Sequence, residues 1–168
     1  MLFLCDFMDI STIEAGNKDV VNVVIESVKG SKSFYKYDDK SGLFNLKKIL
    51  EDTFPGSYGF IPKTHHVDAK FLDVLILASD SIQQGIVAQA KPIGLIRLRA
   101  QIPDDVLIAV SVADKKFENI NDLSNLNKET LDNLKGFLEK FKELKIENVF
   151  DSEHAKNAVR RAIELYKE

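Results

Sequence analysis

One apolar run, Phe71–Ala78, constrains the fold more than any other stretch of this chain. It reads Phe-Leu-Asp-Val-Leu-Ile-Leu-Ala, and Asp73 is the only polar residue in it. A bounded apolar run of this length is typical of a fully buried strand, and less often of a buried helix segment. Because an isolated buried carboxylate is costly, Asp73 needs a positive partner. The alternatives are a metal ion, or an Arg or Lys side chain from a neighbouring strand.

The first two thirds of the chain predict short strands separated by turns. The β-branched segment Val20–Val28 predicts the first strand. The turn-rich residues 38–42 separate Phe34–Tyr37 from Leu43–Leu46, which indicates a hairpin. Further strands are predicted over Phe71–Ala78, Ile86–Ala90, Ile93–Ala100 and Val106–Val112. Many short strands with frequent turn signals favour a barrel or a sandwich.

The last third of the chain changes to a helical period. Apolar residues recur at steps of three and four, and they are Leu131, Leu134, Phe137, Leu138, Phe141 and Leu144. This pattern predicts an amphipathic helix near Thr130–Lys145. A second helix is predicted over Ser152–Lys167, with Ser152 as its N-cap. Two helices after a set of strands predict a single α+β domain over residues 1–168, with the helices packed against a barrel.

Composition excludes several classes of protein. No apolar run approaches the roughly 20 residues that span a membrane. The first seven residues carry no basic group and are too short to be a signal peptide, so residues 1–9 are expected to be an N-terminal extension, with Met8 as an alternative start. The single cysteine, Cys5, excludes an internal disulfide and favours a cytoplasmic protein. A net charge of −3 gives no electrostatic reason to bind nucleic acid.

A motif precedes and enters the apolar run. It consists of Tyr58-Gly59-x-Ile61-Pro62-x-Thr64, followed by Asp68 and Asp73. The motif resembles that of the soluble family I inorganic pyrophosphatases, which show Tyr-Gly-x-Ile-x-x-Thr and then Asp-x-Asp-Pro-x-x-Asp. Lys70 stands here at the middle aspartate and Phe71 at the proline. The resemblance covers roughly residues 10–168. It implies a small OB-like β-barrel, closed or partly open, with two C-terminal helices, and Mg²⁺-dependent hydrolysis of diphosphate.

The resemblance also implies a set of metal ligands. They are Glu26, Asp68, Asp73 and either Asp104 or Asp105. Ala100 and Gln101 replace an Asp-Glu pair of the family, and Val106 or Leu107 stands where the family has a lysine. Lys70 occupies the position of the family's proposed general base. We therefore expect at most one Mg²⁺ site to be retained, formed by Asp68, Asp73 and Asp104 or Asp105.

The phosphate-binding positions implied by the resemblance are partly kept. They are Lys36, Lys48, Tyr58 and Lys142. Phe34 stands at a usual lysine and Lys36 at a usual glutamate, while Phe54 and Phe141 stand at tyrosines. Lys48 replaces an arginine and so loses its bidentate fork. The pattern favours a family member that binds diphosphate or a phosphate-like anion with strongly reduced or lost activity, and family members are often homo-oligomers.

Two other functions remain open. The first is a working but divergent Mg²⁺-dependent pyrophosphatase. The second is a binding module that uses the OB-like barrel for single-stranded nucleic acid or a protein partner, with Tyr35, Tyr37 and Phe44 as stacking residues. These residues also have a purely structural interpretation. Under it, Phe34, Phe54 and Phe141 are core residues, and Lys48 and Lys142 are solvated surface charges. The negative net charge makes nucleic acid the less favoured ligand.

Overall fold

The structure is a computed structural model that describes residues 7–167. Cys5 and most of the expected extension over residues 1–9 therefore lie outside the described residues. Within residues 7–167 the strands are β1 Val21–Ser27, β2 Ser33–Asp38, β3 Leu43–Ile49, β4 Ser57–Ile61, β5 Leu72–Leu77, β6 Val87–Leu98, β7 Asp104–Ser111 and β8 Ile146–Phe150. The α-helices are α1 Lys128–Lys142 and α2 Ser152–Lys167. No helix of this part of the chain is both long and apolar enough to cross a membrane.

Five of the strands close into a ring. The order in the main sheet is β1-β4-β5-β7-β6-β8, and β1 also pairs with β6. Strand β8 pairs only with β6, at the margin of the ring, and β2 and β3 form the predicted hairpin as a separate sheet. The strands pair antiparallel except for β5 and β7, which are parallel. The predicted α+β fold, an OB-like barrel with two C-terminal helices, is confirmed.

Strand β5 is buried on both faces, as its continuous apolar run predicts. Leu72, Val74 and Ile76 lie in a core cluster that includes α2, whereas Leu75 and Leu77 lie in a second cluster that includes α1. Because side chains alternate along a strand, Asp73 lies on the same face as Leu75. The lone carboxylate of the run is therefore directed to the α1 side of the barrel.

Two strands differ from the sequence prediction in a way that physical chemistry explains. The prediction divides β6 at Pro92, but β6 runs continuously over Val87–Leu98. A bulge between Pro92 and Gly94 accommodates the residue that has no N–H group to donate. The prediction assigned no strand to β4, in which Gly59 is essential because a Cβ atom there would overlap the Val24 carbonyl oxygen of β1.

The helix predictions need small corrections. The bounds of α2 are confirmed, but its N-terminal cap is Asp151, whose Oδ1 accepts a hydrogen bond from the His154 N–H at 2.9 Å. The prediction of Ser152 as the N-cap was wrong, since Ser152 is the first residue of the helix. Helix α1 begins after Asn127, whose side chain accepts from the Thr130 N–H, and it ends where Glu143 adopts a left-handed conformation.

Candidate active-site pocket

A pocket of about 1240 Å³ opens between β2, the β4–β5 loop, β5, the start of β7 and the end of α1. Its lining includes six of the residues that the sequence analysis selected, namely Lys36, Asp68, Asp73, Asp104, Asp105 and Lys142. Lys70 and Ala100, two positions where the family pattern has aspartate, also line it. Lys48 lies elsewhere, on β3, with its ammonium 3.7 Å from Glu143 Oε2. The motif and helix α1 thus contribute to one site.

Asp73 is held by two hydrogen-bond donors and by a further ammonium group. Its Oδ1 accepts a hydrogen bond from Lys36 Nζ at 3.1 Å, and its Oδ2 accepts one from the Tyr58 hydroxyl at 3.0 Å. Lys142 Nζ lies 3.6 Å from the same Oδ2. Of the two partners that the sequence allowed, the described residues supply lysines. Lys36 comes from the β2–β3 hairpin and Lys142 from the last turn of α1.

Lys142 joins Asp73 to Asp104, the first residue of β7. Its Nζ lies 3.1 Å from Asp104 Oδ2 and 5.7 Å from the centre of the Tyr58 ring, and its side chain is only 15% exposed. The predicted apolar face of α1 brings this cation to the pocket, since Phe141 packs edge-on against Tyr58. The alternative interpretation of Lys142 as a solvated surface charge is therefore wrong.

Glu26, at the end of β1, lies beneath Lys36. Its side chain is fully buried, and its Oε2 accepts a hydrogen bond from the Tyr37 N–H at 2.7 Å. Its Oε1 lies 3.7 Å from Lys36 Nζ and has no hydrogen-bond partner among the described residues. We call Glu26, Lys36, Asp73, Asp104 and Lys142 the pocket floor. It contains three carboxylates and two ammonium groups within ion-pair distance.

Burial and charge act in opposite directions on the pocket floor. Burial raises the pKa of Glu26 to about 7, and the nearby Lys36 only partly offsets it. Burial also opposes ionisation of Asp73, but Lys36 and Lys142 outweigh it and lower the pKa of that carboxyl. For Lys36 itself, burial is outweighed by Asp73 and Glu26, which raise its pKa to about 12. Lys36 therefore stays charged throughout the neutral range.

Asp105 follows Asp104 in β7 and so points to the opposite face of the strand. Its carboxylate accepts two hydrogen bonds from Arg97, at 2.8 and 3.0 Å, and lies 2.7 Å from His66 Nε2. Burial opposes ionisation of Asp105, but the His66 and Arg97 hydrogen bonds outweigh it and lower its pKa to about 2. Asp104, unlike Asp105, shares a partner with Asp73. The sequence analysis did not foresee the Asp105–His66 pair, because the two residues are 39 positions apart.

Asp68 does not join the pocket floor. It is an exposed residue of the short 3₁₀ turn Val67–Ala69, where its backbone has a left-handed φ of 65°. Within residues 7–167 no three His, Cys, Asp or Glu side chains are grouped so that they could hold a metal ion. The floor carboxylates face lysine ammonium groups, which cannot act as ligands while they are protonated. The residues present therefore do not fit the metal centre that the resemblance implies.

Two of the three proposed stacking residues, Tyr37 and Phe44, are packed against the protein. The Tyr37 ring centre lies 5.4 Å from that of Phe44 and 5.6 Å from that of Phe60, and its hydroxyl donates to the Met8 carbonyl at 2.6 Å. Phe54 is buried, and Phe34 and Phe141 pack edge-on with their ring centres 4.8 Å apart. These contacts show that Phe34, Phe54 and Phe141 pack in the core, as their purely structural interpretation predicts.

Comparison with known proteins gives a consistent result. The profile of the family described as "Inorganic pyrophosphatase" matches residues 23–167. The chain is 34% identical to an inorganic pyrophosphatase of Haloferax volcanii over 159 residues, which covers 89% of this chain and 90% of that protein. It is 35% identical to an inorganic pyrophosphatase of Saccharolobus solfataricus, with coverage of 89% and 94%. The crystal structure of inorganic pyrophosphatase from Thermus thermophilus superposes with a TM-score of 0.88 at 29% identity, covering 96% of this chain and all of that one.

Proposed function

The chain belongs to the inorganic pyrophosphatase family, and from this premise we propose that it binds diphosphate or a related phosphate anion but hydrolyses diphosphate very slowly or not at all. One observation carries the proposal. The pocket that holds Asp73, Asp104 and Lys142 is also lined by Lys70 and Ala100, at two positions where the family pattern has a carboxylate. The substitutions thus fall in the pocket that we propose as the reaction site, and not on a remote surface.

The chemistry explains why these substitutions matter. Hydrolysis of diphosphate needs a group that accepts a proton from the attacking water. It also needs cations that neutralise the negative charge on the phosphoryl oxygens. A protonated Lys70 cannot accept that proton, and general base catalysis contributes about 10²–10⁴-fold to a rate. Ala100 and the neighbouring Gln101 bring no carboxylate to bind activating cations. Each loss lowers the rate by itself.

Binding of the anion is retained more easily than hydrolysis. Lys70 and Lys63 line the rim of the pocket, and Lys36 and Lys142 lie at its floor. Fixed ammonium groups attract a polyanion without needing to transfer a proton. We propose that the anion contacts these lysines, and that the protein holds at most one divalent cation with it. A cytoplasmic location and a homo-oligomeric state stay predictions.

Phosphate release from diphosphate with Mg²⁺ tests the proposal. We expect the wild-type rate to be at least about 10³-fold below that of the Haloferax volcanii enzyme assayed in parallel. The combined change Lys70→Asp, Ala100→Asp and Gln101→Glu, which restores the family pattern, should raise the rate. Lys128→Asp is the matched charge reversal, because the Lys128 side chain is 93% exposed at the start of α1.

Two results would contradict the proposal, and the first of them would establish a divergent enzyme instead. One is a wild-type rate close to that of the parallel enzyme and abolished by Asp73→Ala. The other is a failure of isothermal titration calorimetry to detect any binding of diphosphate to the wild-type protein. A salt-dependent affinity for single-stranded oligonucleotide would favour the binding-module alternative.

A further inference from the structure

The pocket floor has an unusual charge arrangement. Lys36 Nζ lies 3.1 Å from Asp73 Oδ1 and 3.7 Å from Glu26 Oε1, while Lys142 Nζ lies 3.6 Å from Asp73 Oδ2 and 3.1 Å from Asp104 Oδ2. Each ammonium group thus bridges two carboxylates, and Asp73 is shared by both. A cation that bridges carboxylates in a pocket has the same electrostatic task as a bound metal ion.

The two lysines are held in place. Tyr58 donates to Asp73 and fixes the shared carboxylate between them. Lys142 lies over the Tyr58 and Phe141 rings, at 5.7 and 5.4 Å from their centres, and its side chain is 15% exposed. Lys36 belongs to a paired hairpin strand, where its backbone is fixed opposite Asn45. These contacts distinguish the pair from mobile surface lysines.

We infer that Lys36 and Lys142 are built-in counter-ions that offset two of the three carboxylate charges of the pocket floor and exclude divalent cations from it. The inference deepens the proposed function and rests on it, because it concerns the same pocket. It explains why this pocket would bind diphosphate without a metal centre.

The exclusion follows from distance and charge. A divalent cation bound to Asp73 would take an oxygen at about 2.0–2.6 Å. Both ammonium groups lie within 3.6 Å of Asp73 oxygens, so they would be close neighbours of that cation. Repulsion between a divalent ion and two unit charges at this range is large even at an effective dielectric constant of about 20. Removal of the two charges would leave Asp73 without a cationic partner, and an unpaired carboxylate attracts a hard divalent cation.

Titration with Mn²⁺ alone, followed by calorimetry, tests the inference without any substrate. We expect the wild-type protein to bind Mn²⁺ weakly, with a Kd above about 1 mM. The variant Lys36→Met/Lys142→Met should gain one site and bind at least about tenfold more tightly. Adding Asp73→Asn to that variant should remove the gain. The matched control is Lys128→Met/Lys140→Met, in which two exposed lysines that also lie in ion pairs are lost, and it should behave like the wild type.

Circular dichroism shows whether the double variant folds. If it does not fold, two single variants still test the inference. The single variants Lys36→Met and Lys142→Met each retain one ammonium group and should each tighten Mn²⁺ binding by a smaller factor. The inference fails if the wild type binds Mn²⁺ as tightly as the folded variants, or if folded variants show no gain. Either result leaves the phosphate-release assay to judge the proposed function separately, because an inactive protein can still bind Mn²⁺.

Discussion

Replacing Asp105 by Asn should destabilise the protein strongly at neutral pH and progressively less in acid. The Asp105 side chain is fully buried, and both of its oxygens are occupied by Arg97, while His66 also contacts Oδ2. Asn keeps the shape but lacks the charge, so Arg97 would lose a bidentate ionic partner. Because the Arg97 side chain is 30% exposed, water can replace part of that partner.

The magnitude follows from the pKa of Asp105. The hydrogen bonds from His66 and Arg97 outweigh burial and lower that pKa from 3.8 to about 2. At about 1.4 kcal/mol per pKa unit, the ionised carboxylate contributes about 2.5 kcal/mol to the free energy of unfolding. A depressed pKa means that this contribution is fully present above pH ~4 and is lost as the pH falls through about 2. The Asn variant has no such titration.

Urea unfolding followed by far-UV circular dichroism measures the effect, since the chain contains no tryptophan. We expect Asp105→Asn to lose about 2.5 kcal/mol or more at pH 7, and the difference from wild type to shrink as the pH approaches 2. Asp104→Asn is the control, because Asp104 is 34% exposed and has one ion pair, with Lys142. It should lose at most about 1 kcal/mol. Equal losses in the two variants at pH 7, or a difference from wild type that is unchanged in acid, would refute the reasoning.

Three further predictions concern positions on β1, β4 and α1. Glu26→Gln should gain stability relative to wild type as the pH rises from 5 to 8, by up to about 3 kcal/mol, because burial raises the pKa of Glu26 to about 7 and the folded state must then bury an ionised carboxylate; unfolding curves at the two pH values check this, and an opposite trend would contradict it. Gly59→Ala should cost about 3 kcal/mol or more, because its Cβ would overlap the Val24 carbonyl oxygen. Gly136→Ala, on the exposed face of α1 with nothing near its Cβ position, should instead stabilise by about 0.5–1 kcal/mol, and thermal unfolding of both variants distinguishes the two effects.

The elements with a strong period could be predicted from the sequence, and those without one could not. The helix α2 and the strand β1 were predicted almost to the residue, because their apolar or β-branched patterns are continuous. The residues Ile146–Phe150 show no strand pattern, because three of the five residues of β8 are exposed and, within residues 7–167, β8 pairs only with β6. Strand β4 has no alternation, because all five of its residues are buried.

Six of the nine metal- and phosphate-binding positions that the sequence analysis selected line one pocket, but their pairing was not predicted. The motif and the family resemblance selected Asp73, either Asp104 or Asp105, and Lys142, all of which line that pocket. The contacts that decide the chemistry join β1, β2, β5, β7 and α1, and Lys36 and Asp73 are 37 residues apart in sequence. A periodic pattern reports which face of an element is buried, but it carries no information on which charge of another element will meet it.

The substitutions at the pocket are better understood together than one at a time. Lys36 stands two residues after the usual lysine position, now Phe34, and both side chains lie on the same face of β2, so the cation has moved along the strand without leaving the site. Lys36 and Lys70 each replace a carboxylate of the family pattern, and each exchange adds two positive charges. Ala100 and Gln101 replace two further carboxylates, and each of these exchanges adds one positive charge. The chain also lacks two lysines of the family pattern. The net gain in positive charge is then about the charge of two divalent cations. Asp73, the carboxylate at the centre of the site, has two lysine partners. This balance favours a pocket in which lysine ammonium groups take the place of bound metal ions.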